Sequence, residues 1–301
     1  MKKLSLTALA LFSTSAMATD ARVVAHQGNA GMRDSTDYKT YLSRTDDGPD
    51  SVFFDLDNNG TGVLSGAYKA NGGAITLSQN MTGDATEIGY YSADGDAGYG
   101  AILEVINMES FSLGGGYGTT SGDTDMSYGG QITKTGDDIG LTVGVISREL
   151  TKKDVTTWSA ILAHGEAGQV INANYGMGFR HAGDRSKAAI TFGPNLGVTL
   201  PSEGDMAIDL SLVSANIAGE FALNDWFGLR GSVVSDFMVV DPTGELDLAT
   251  SGVSPMFGAS MDFEGTDLDL VIDPNSIMNG PYFLTGAASA PAVMMSARFD
   301  I

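Results

Sequence analysis

The chain of 301 residues contains no cysteine. No disulfide staples it, and no thiolate is available as metal ligand or nucleophile. Its three histidines, His26, His164 and His181, form neither an HExxH motif nor a close pair, which leaves little room for zinc or triad hydrolysis. No apolar run approaches the roughly eighteen residues that a membrane-crossing helix requires. Bases are scarce, with 16 Lys and Arg against 37 Asp and Glu, and the formal charge of −21 argues against a nucleic-acid or anionic-lipid binder. Helical periodicity is nearly absent as well. The best helical stretch, Glu149 to Leu162, dissolves into the β-prone Val155-Thr156-Thr157-Trp158.

What the chain has in quantity is glycine, 40 residues of it, with 18% charged residues and eight prolines. That composition excludes a coiled coil and a charge-rich disordered chain. Lys2 and Lys3, the apolar run Leu4 to Phe12 and the small-x-small site Ala16-Met17-Ala18 read in order as a secretory signal peptide over residues 1–18. The mature chain is expected to begin at Thr19 and, without the two leader lysines, to carry a charge of −23. Residues 19–50 are polar and irregular and read as an N-terminal arm or plug-like segment; residues 51–301 read as a succession of strands.

The clearest strand is Trp226 to Val240. Phe227, Leu229, Val233, Phe237 and Val239 alternate with Gly228, Arg230, Ser232, Asp236 and Met238. A period of two, apolar on one side and small or charged on the other, describes a strand between two different solvents. Phe227 and Phe237 are ten residues apart, roughly 33 Å along a strand and about 25 Å of height at the usual tilt, the spacing of two aromatic girdles. Leu141, Val143 and Val145, then Leu268, Leu270 and Ile272, then Met295, Ala297 and Phe299 repeat the pattern. Near Leu212 the apolar parity slips, as a bulge would make it.

Connections in the last third alternate in length: Asn224-Asp225 short, Asp241 to Ser251 long, Glu264-Gly265 short, Asp273 to Pro291 long. Short turns on one side and long loops on the other describe an antiparallel up-and-down transmembrane β-barrel. We expect an all-β fold of about 14 strands (range 12–16), with candidate corners at Asp57 to Gly60, Ala70 to Gly73, Asp94 to Asp96, Gly136 to Asp138 and Ala182 to Arg185. Upstream of Pro201 the alternation in length is not visible. A β-sandwich or solenoid would share the turns, but many strands place Gly, Ser, Ala and Thr where a soluble core needs bulk, and no fixed repeat recurs.

Motifs for chemistry are weak. Asp55 to Thr61 matches the first half of a calcium loop, but Gly66 stands where a bidentate Glu belongs. Gly114 to Gly118 and Tyr175 to Gly178 lack the following helix that a phosphate loop exploits, and read as glycine on curved strands. His164 beside Glu166 and His181 beside Asp184 leave a rim dyad as the only hydrolytic arrangement. Trp158, Tyr175, Phe179 and Trp226 read as interfacial anchors. No catalytic, cofactor-binding or metal residue is assigned, and no cofactor is expected.

Strand parity does nominate a lining. Asp209, Glu220, Arg230, Asp236, Asp269 and Arg298 fall on the non-lipid side, either as ion pairs that fill the lumen or as a solute-selective wall. With the excess of acid, a conducting lumen is expected to favour cations weakly. The leading expectation is a passive pore or transporter-like channel for small solutes; the alternative is a structural or adhesive barrel with a closed lumen, and a barrel hydrolase is a distant third.

The closing residues Ser296-Ala297-Arg298-Phe299-Asp300-Ile301 resemble the terminal strand of Gram-negative outer-membrane proteins, ending on Ile301 where those families commonly end on an aromatic. Leu268 to Gly286 resembles the penultimate strand and loop of uncharacterised proteobacterial barrels. More loosely, an exported arm followed by a meander is similar to the fatty-acid transporter class, whose arm plugs the lumen. The resemblance implies residence in the outer membrane, contact with its lipid, recognition by the barrel assembly machinery and a part in transport. It carries over no substrate-binding residue.

Overall fold

The computed structural model describes residues 29, 31–32, 40–47, 51–56, 62–70, 73–80, 85–107, 109–203, 206–240, 246–247, 251–264, 266–272 and 293–300. The expected leader, the turn from Asp57 to Thr61 and almost all of the two long C-terminal loops lie outside them. Among the described residues, apart from helical Thr40 and a 3-10 helix at Leu42–Asp47, the regular elements are strands: β1 Ser51–Leu56, β2 Gly62–Ala70, β3 Gly73–Asn80, β4 Thr86–Asp94, β5 Ala97–Asn107, β6 Ser110–Ser121, β7 Thr124–Thr135 and β8 Asp138–Leu150. There follow β9 Asp154–Gly165, β10 Gly168–Ala182, β11 Ser186–Pro201, β12 Ala207–Ala222, β13 Phe227–Val240, the two-residue β14 Leu246–Asp247, β15 Ser251–Phe263, β16 Thr266–Ile272 and β17 Val293–Asp300.

All belong to one sheet, and sequence neighbours pair antiparallel throughout, with β13 pairing β15 beyond the short β14. The last strand also pairs with the first, from Ser51 opposite Asp300 to Leu56 opposite Met295. The sheet therefore has sixteen long strands where about fourteen were expected. Sixteen is the upper end of the expected range of 12–16. The connections 108–109 and 166–167 are two residues long, with turn residues at their edges: Asn107 Oδ1 accepts from the Glu109 amide at 2.8 Å, and Gly165 and Gly168 flank the second, Gly168 with φ 122°. Within other turns, Gly95 and Gly122 take the left-handed backbone (φ 60° and 61°) that tight hairpins need and that glycine adopts without a Cβ clash.

The connections sort by side. Those at one end, including 71–72, 95–96, 122–123, 151–153, 183–185 and 223–226, are all short, and both β1 and β17 present their outer ends there. The opposite end carries the long spans 241–250 and 273–292. Between β5 and β10 the connections are short on both sides, which is why no alternation shows in the sequence upstream of Pro201. The parity slip near Leu212 is a bulge: Asn195 pairs Ser211 and Gly193 pairs Ser214, so Leu212 and Val213 together face Pro194. Proline has no N–H for the ladder, and the extra residue falls where a bond is missing anyway.

Burial alternates in the reverse sense to a soluble sheet. On β2 to β4, Ser65, Thr76, Ser78 and Glu87 are buried while Leu64, Ile75, Leu77 and Ile88 are about half exposed. The buried side, here called the inner face, holds only small apolar clusters. Leu42 packs with Ala74 and Tyr91, and Met32 with Ala189 and Ala218. Both clusters join the N-terminal residues to the sheet.

Candidate functional site: the inner face and its N-terminal segment

The inner wall of β5 and β6 is stripped of side chains where the 3-10 segment meets it. A Cβ on Gly98 would collide with the Leu42 carbonyl, and one on Gly116 would stand 2.9 Å from Leu42 Cδ1. Gly118 and Gly100 complete the seat, at 3.1 Å and 3.0 Å from the same side chain. At Gly98, Gly116 and Gly118 glycine makes room for the segment, a reason other than the strand curvature that the sequence suggested; Gly114 and Gly115 do not meet the segment. The Leu42 amide donates to Ser127 Oγ at 3.2 Å.

A charged cluster lies beside this seat. Asp125 on β7 is completely buried and accepts from Arg44 Nε at 2.8 Å on one oxygen and from Arg148 Nη2 at 3.2 Å on the other. Thr120 donates to the same carboxylate at 2.9 Å and lies 2.7 Å from Ser43 Oγ. Arg148, itself 1% exposed, stacks its guanidinium 3.8 Å above the Tyr41 ring. A buried carboxylate is tolerable because two cations and a hydroxyl replace its water shell. Across the inner space, Asn29 donates to the Asn216 carbonyl at 3.0 Å and to Asn216 Oδ1 at 3.1 Å, and accepts from the Gly31 amide at 2.9 Å. The N-terminal residues thus hold the inner face at two places, on β4–β7 and on β11–β12.

A second charged array runs along the inner face at the short-turn end. Lys187 is opposite Glu220 and Glu220 opposite Arg230 in the ladder. Lys187 pairs with Glu220 at 3.1 Å, Arg230 crosses β15 to reach Asp269 on β16 at 2.9 Å, and Arg298 pairs with Asp267. The crossing is sterically possible because β15 places Gly258 opposite Arg230 and Ser260 opposite Asp269. Of the residues expected in the lining, Glu220, Arg230, Asp269 and Arg298 lie in this belt. Asp209 is opposite Gly197 and Asp236 opposite Ser214, the same backbone parity, and their side chains lie outside the described residues.

Sequence reasoning missed Lys187 and Asp267, the partners that neutralise half of the belt, and the whole Arg44–Asp125–Arg148 cluster. Parity was the available signal: Arg148 continues the inner series Thr142, Gly144, Ile146. The histidines fall on opposite ends of the sheet, His164 next to the 166–167 turn and His181 next to the 183–185 turn. His181 Nε2 lies 3.3 Å from Ser186 Oγ on an exposed corner. At the other end, Glu166 is held above the usual carboxylate range by a hydrogen bond with Asp138 and by the repulsion of its charge. Among the described residues, no group of three or more His, Cys, Asp or Glu is arranged to hold a metal ion.

The outer face carries the large side chains. Tyr99, Tyr117 and Tyr128 are directly opposite one another across β5, β6 and β7, all about half exposed. Phe221, Trp226, Phe263 and Phe299 continue the exposed aromatics near the same short-turn end, with Trp226 stacked on Phe263 at 6.3 Å.

No family model matches the chain, and no curated protein matches its sequence. Among solved structures it is similar to a bacterial polysaccharide outer membrane secretin, at 11% identity and TM-score 0.53, over 83% of this chain and 96% of that one. A variant of the Rh. blastica porin aligns at 9% identity and TM-score 0.42, over 83% and 99% of the two chains. The Pseudomonas putida toluene transporter TodX aligns at 10% and 0.40, over 88% and 93%. The likeness to the secretin shows the fold, an antiparallel up-and-down sheet of the kind found in outer-membrane proteins.

Proposed function

We propose that the chain is an outer-membrane β-barrel of sixteen long strands that forms a channel for small solutes, closed at rest by its own N-terminal segment. The observation that carries this reading is the inverted burial. Ser65, Thr76, Ser78, Glu87, Asp125 and Arg148 are inside while Leu64, Leu77, Ile88, Leu113 and Leu141 are outside. In water, a continuous exposed band of that size is an aggregation site; against acyl chains it is the favoured surface. The β17–β1 pairing supports closure, which removes the open edges that a bilayer does not tolerate. Tyr68, Tyr99, Phe221, Trp226, Phe263 and Phe299 are exposed towards the short-turn end, as aromatics are at a periplasmic interface.

Transport acts here without a chemical step: the wall supplies polar contacts in a wet lumen, and the N-terminal segment decides access. Glu220 and Asp269 are both paired with bases, so any cation preference depends on the remaining acids. The second reading, a barrel whose lumen stays closed and serves structure or adhesion, is favoured by the buried Asp125 cluster. Planar-bilayer recording separates the two. The full chain is expected to conduct rarely, and Gly98→Leu, which evicts Leu42 from its seat, is expected to give frequent steps. Silence from both proteins favours the structural barrel.

A further inference from the structure

The charged belt at the short-turn end borders a cavity of about 290 Å³, near the lower edge of the roughly 300–1,000 Å³ usual for small-molecule sites. Its floor is ordered by sign. Following the wall from β11 to β17, one meets Lys187, Glu220, Arg230, the pair Asp269 and Asp267, then Arg298. The rim adds Arg185 beside Asp184, Asp225 and Asp262, so the cavity as a whole leans acidic, while along the floor a solute of one sign meets as much repulsion as attraction. A solute carrying both signs a few ångströms apart meets an opposite charge at each end.

The second observation is the state of Arg230. Its side chain is 6% exposed, and its Nε, buried at the cavity wall, donates to none of the described residues. Its ion pair with Asp269 is made through Nη1 and does not use that donor. A buried guanidinium N–H without an acceptor is costly, and a ligand carboxylate would satisfy it with a charge-assisted bond. A ligand ammonium, in turn, has Asp269 and Glu220 within the same wall.

We propose that this cavity is a binding site for small zwitterions, solutes with a carboxylate and an ammonium group of the free amino-acid class. The carboxylate docks on Arg230 and Lys187, and the ammonium docks between Glu220 and Asp269. The proposal rests on the channel reading above, because it takes the inner face to be the solute's route. It names the chemistry selected on that route.

Trp226 stands at the cavity's short-turn mouth with its ring stacked on Phe263 on the outer face, so binding is read by titration calorimetry. The detergent-solubilised full chain is titrated with L-alanine, with sodium acetate and with methylammonium chloride at constant ionic strength. L-alanine is expected to give a saturable binding heat and the two single-sign ions none. Arg230→Gln is expected to weaken the response at least tenfold. Lys187→Gln, at the half-exposed rim and safe for folding, is expected to weaken it about threefold. Acetate or methylammonium matching L-alanine overturns the proposal, as does an absent response in protein that still migrates as a folded barrel when unboiled. Loss of that heat-dependent migration would instead count against the barrel reading, so the two failures are distinguishable.

Discussion

Asp125 on the wall and Arg44 in the N-terminal segment are joined by a 2.8 Å charge-assisted hydrogen bond whose acceptor has no exposure to solvent. It ties the segment to the sheet through a carboxylate that it shares with Arg148. Asp125→Asn removes the charge that compensates both guanidinia. Leaving such cations buried and uncompensated costs about 3–5 kcal/mol. Arg44→Met cuts only the tie to the segment and leaves Asp125 with Arg148. Bilayer recordings are expected to show frequent opening for Arg44→Met with an unchanged unfolding temperature. Asp125→Asn is expected to lower that temperature as well. Equal thermal damage from both substitutions, with no change in opening, would mean that the cluster serves the wall alone.

The two faces of β13 give a second prediction. Leu229 is 46% exposed on the outer face and Ser232 is 4% exposed on the inner one. Leu229→Arg puts a charge against acyl chains and is expected to cost about 2–4 kcal/mol towards mid-depth, less nearer the interface. Ser232→Arg is expected to be milder, because the inner face already carries paired charge. Denaturant unfolding in lipid vesicles measures both; equal losses would undo the assigned parity.

A third prediction concerns pH at the long-loop end. Glu166 in the β9–β10 turn is raised by Asp138 relative to its ordinary value. A raised carboxylate binds its proton more tightly in the folded chain than in the unfolded one. Its contribution is therefore fully present below the ordinary carboxylate range and is lost as pH rises through the raised value. Glu166→Gln is expected to flatten that part of the stability profile and leave it unchanged at the lowest pH. A profile identical to the parent across the whole range would count against the coupling.

Strand identity was legible wherever period two reached both solvents, as in Leu141 to Ile146 and Leu268 to Ile272, because alternation is written directly in neighbouring residues. The bulge was legible too, since a skipped residue shifts parity at Leu212. The exact strand count was legible only as a range, because period two does not say whether a two-residue break such as 166–167 ends one strand or interrupts it. The belt was half legible. Parity placed Glu220, Arg230, Asp269 and Arg298 on one face, but pairing partners follow from register across several strands. The seat of Leu42 was not legible at all: it joins residues 56 positions apart, Leu42 and Gly98, and a glycine spared for another backbone looks the same as one spared for curvature.

The account stands on the inverted sheet, and the absence of cysteine makes a direct test clean. Single cysteines placed in turn from Leu141 to Ile146 are spin-labelled in the full chain reconstituted in lipid. Collision with oxygen, which concentrates in acyl chains, is compared with collision with a water-soluble nickel complex. Oxygen access is expected to peak at positions 141, 143 and 145, and nickel access to be higher at 142, 144 and 146. Nickel access equal at all six positions, or highest at 141 and 143, would contradict a sheet with lipid on its apolar face.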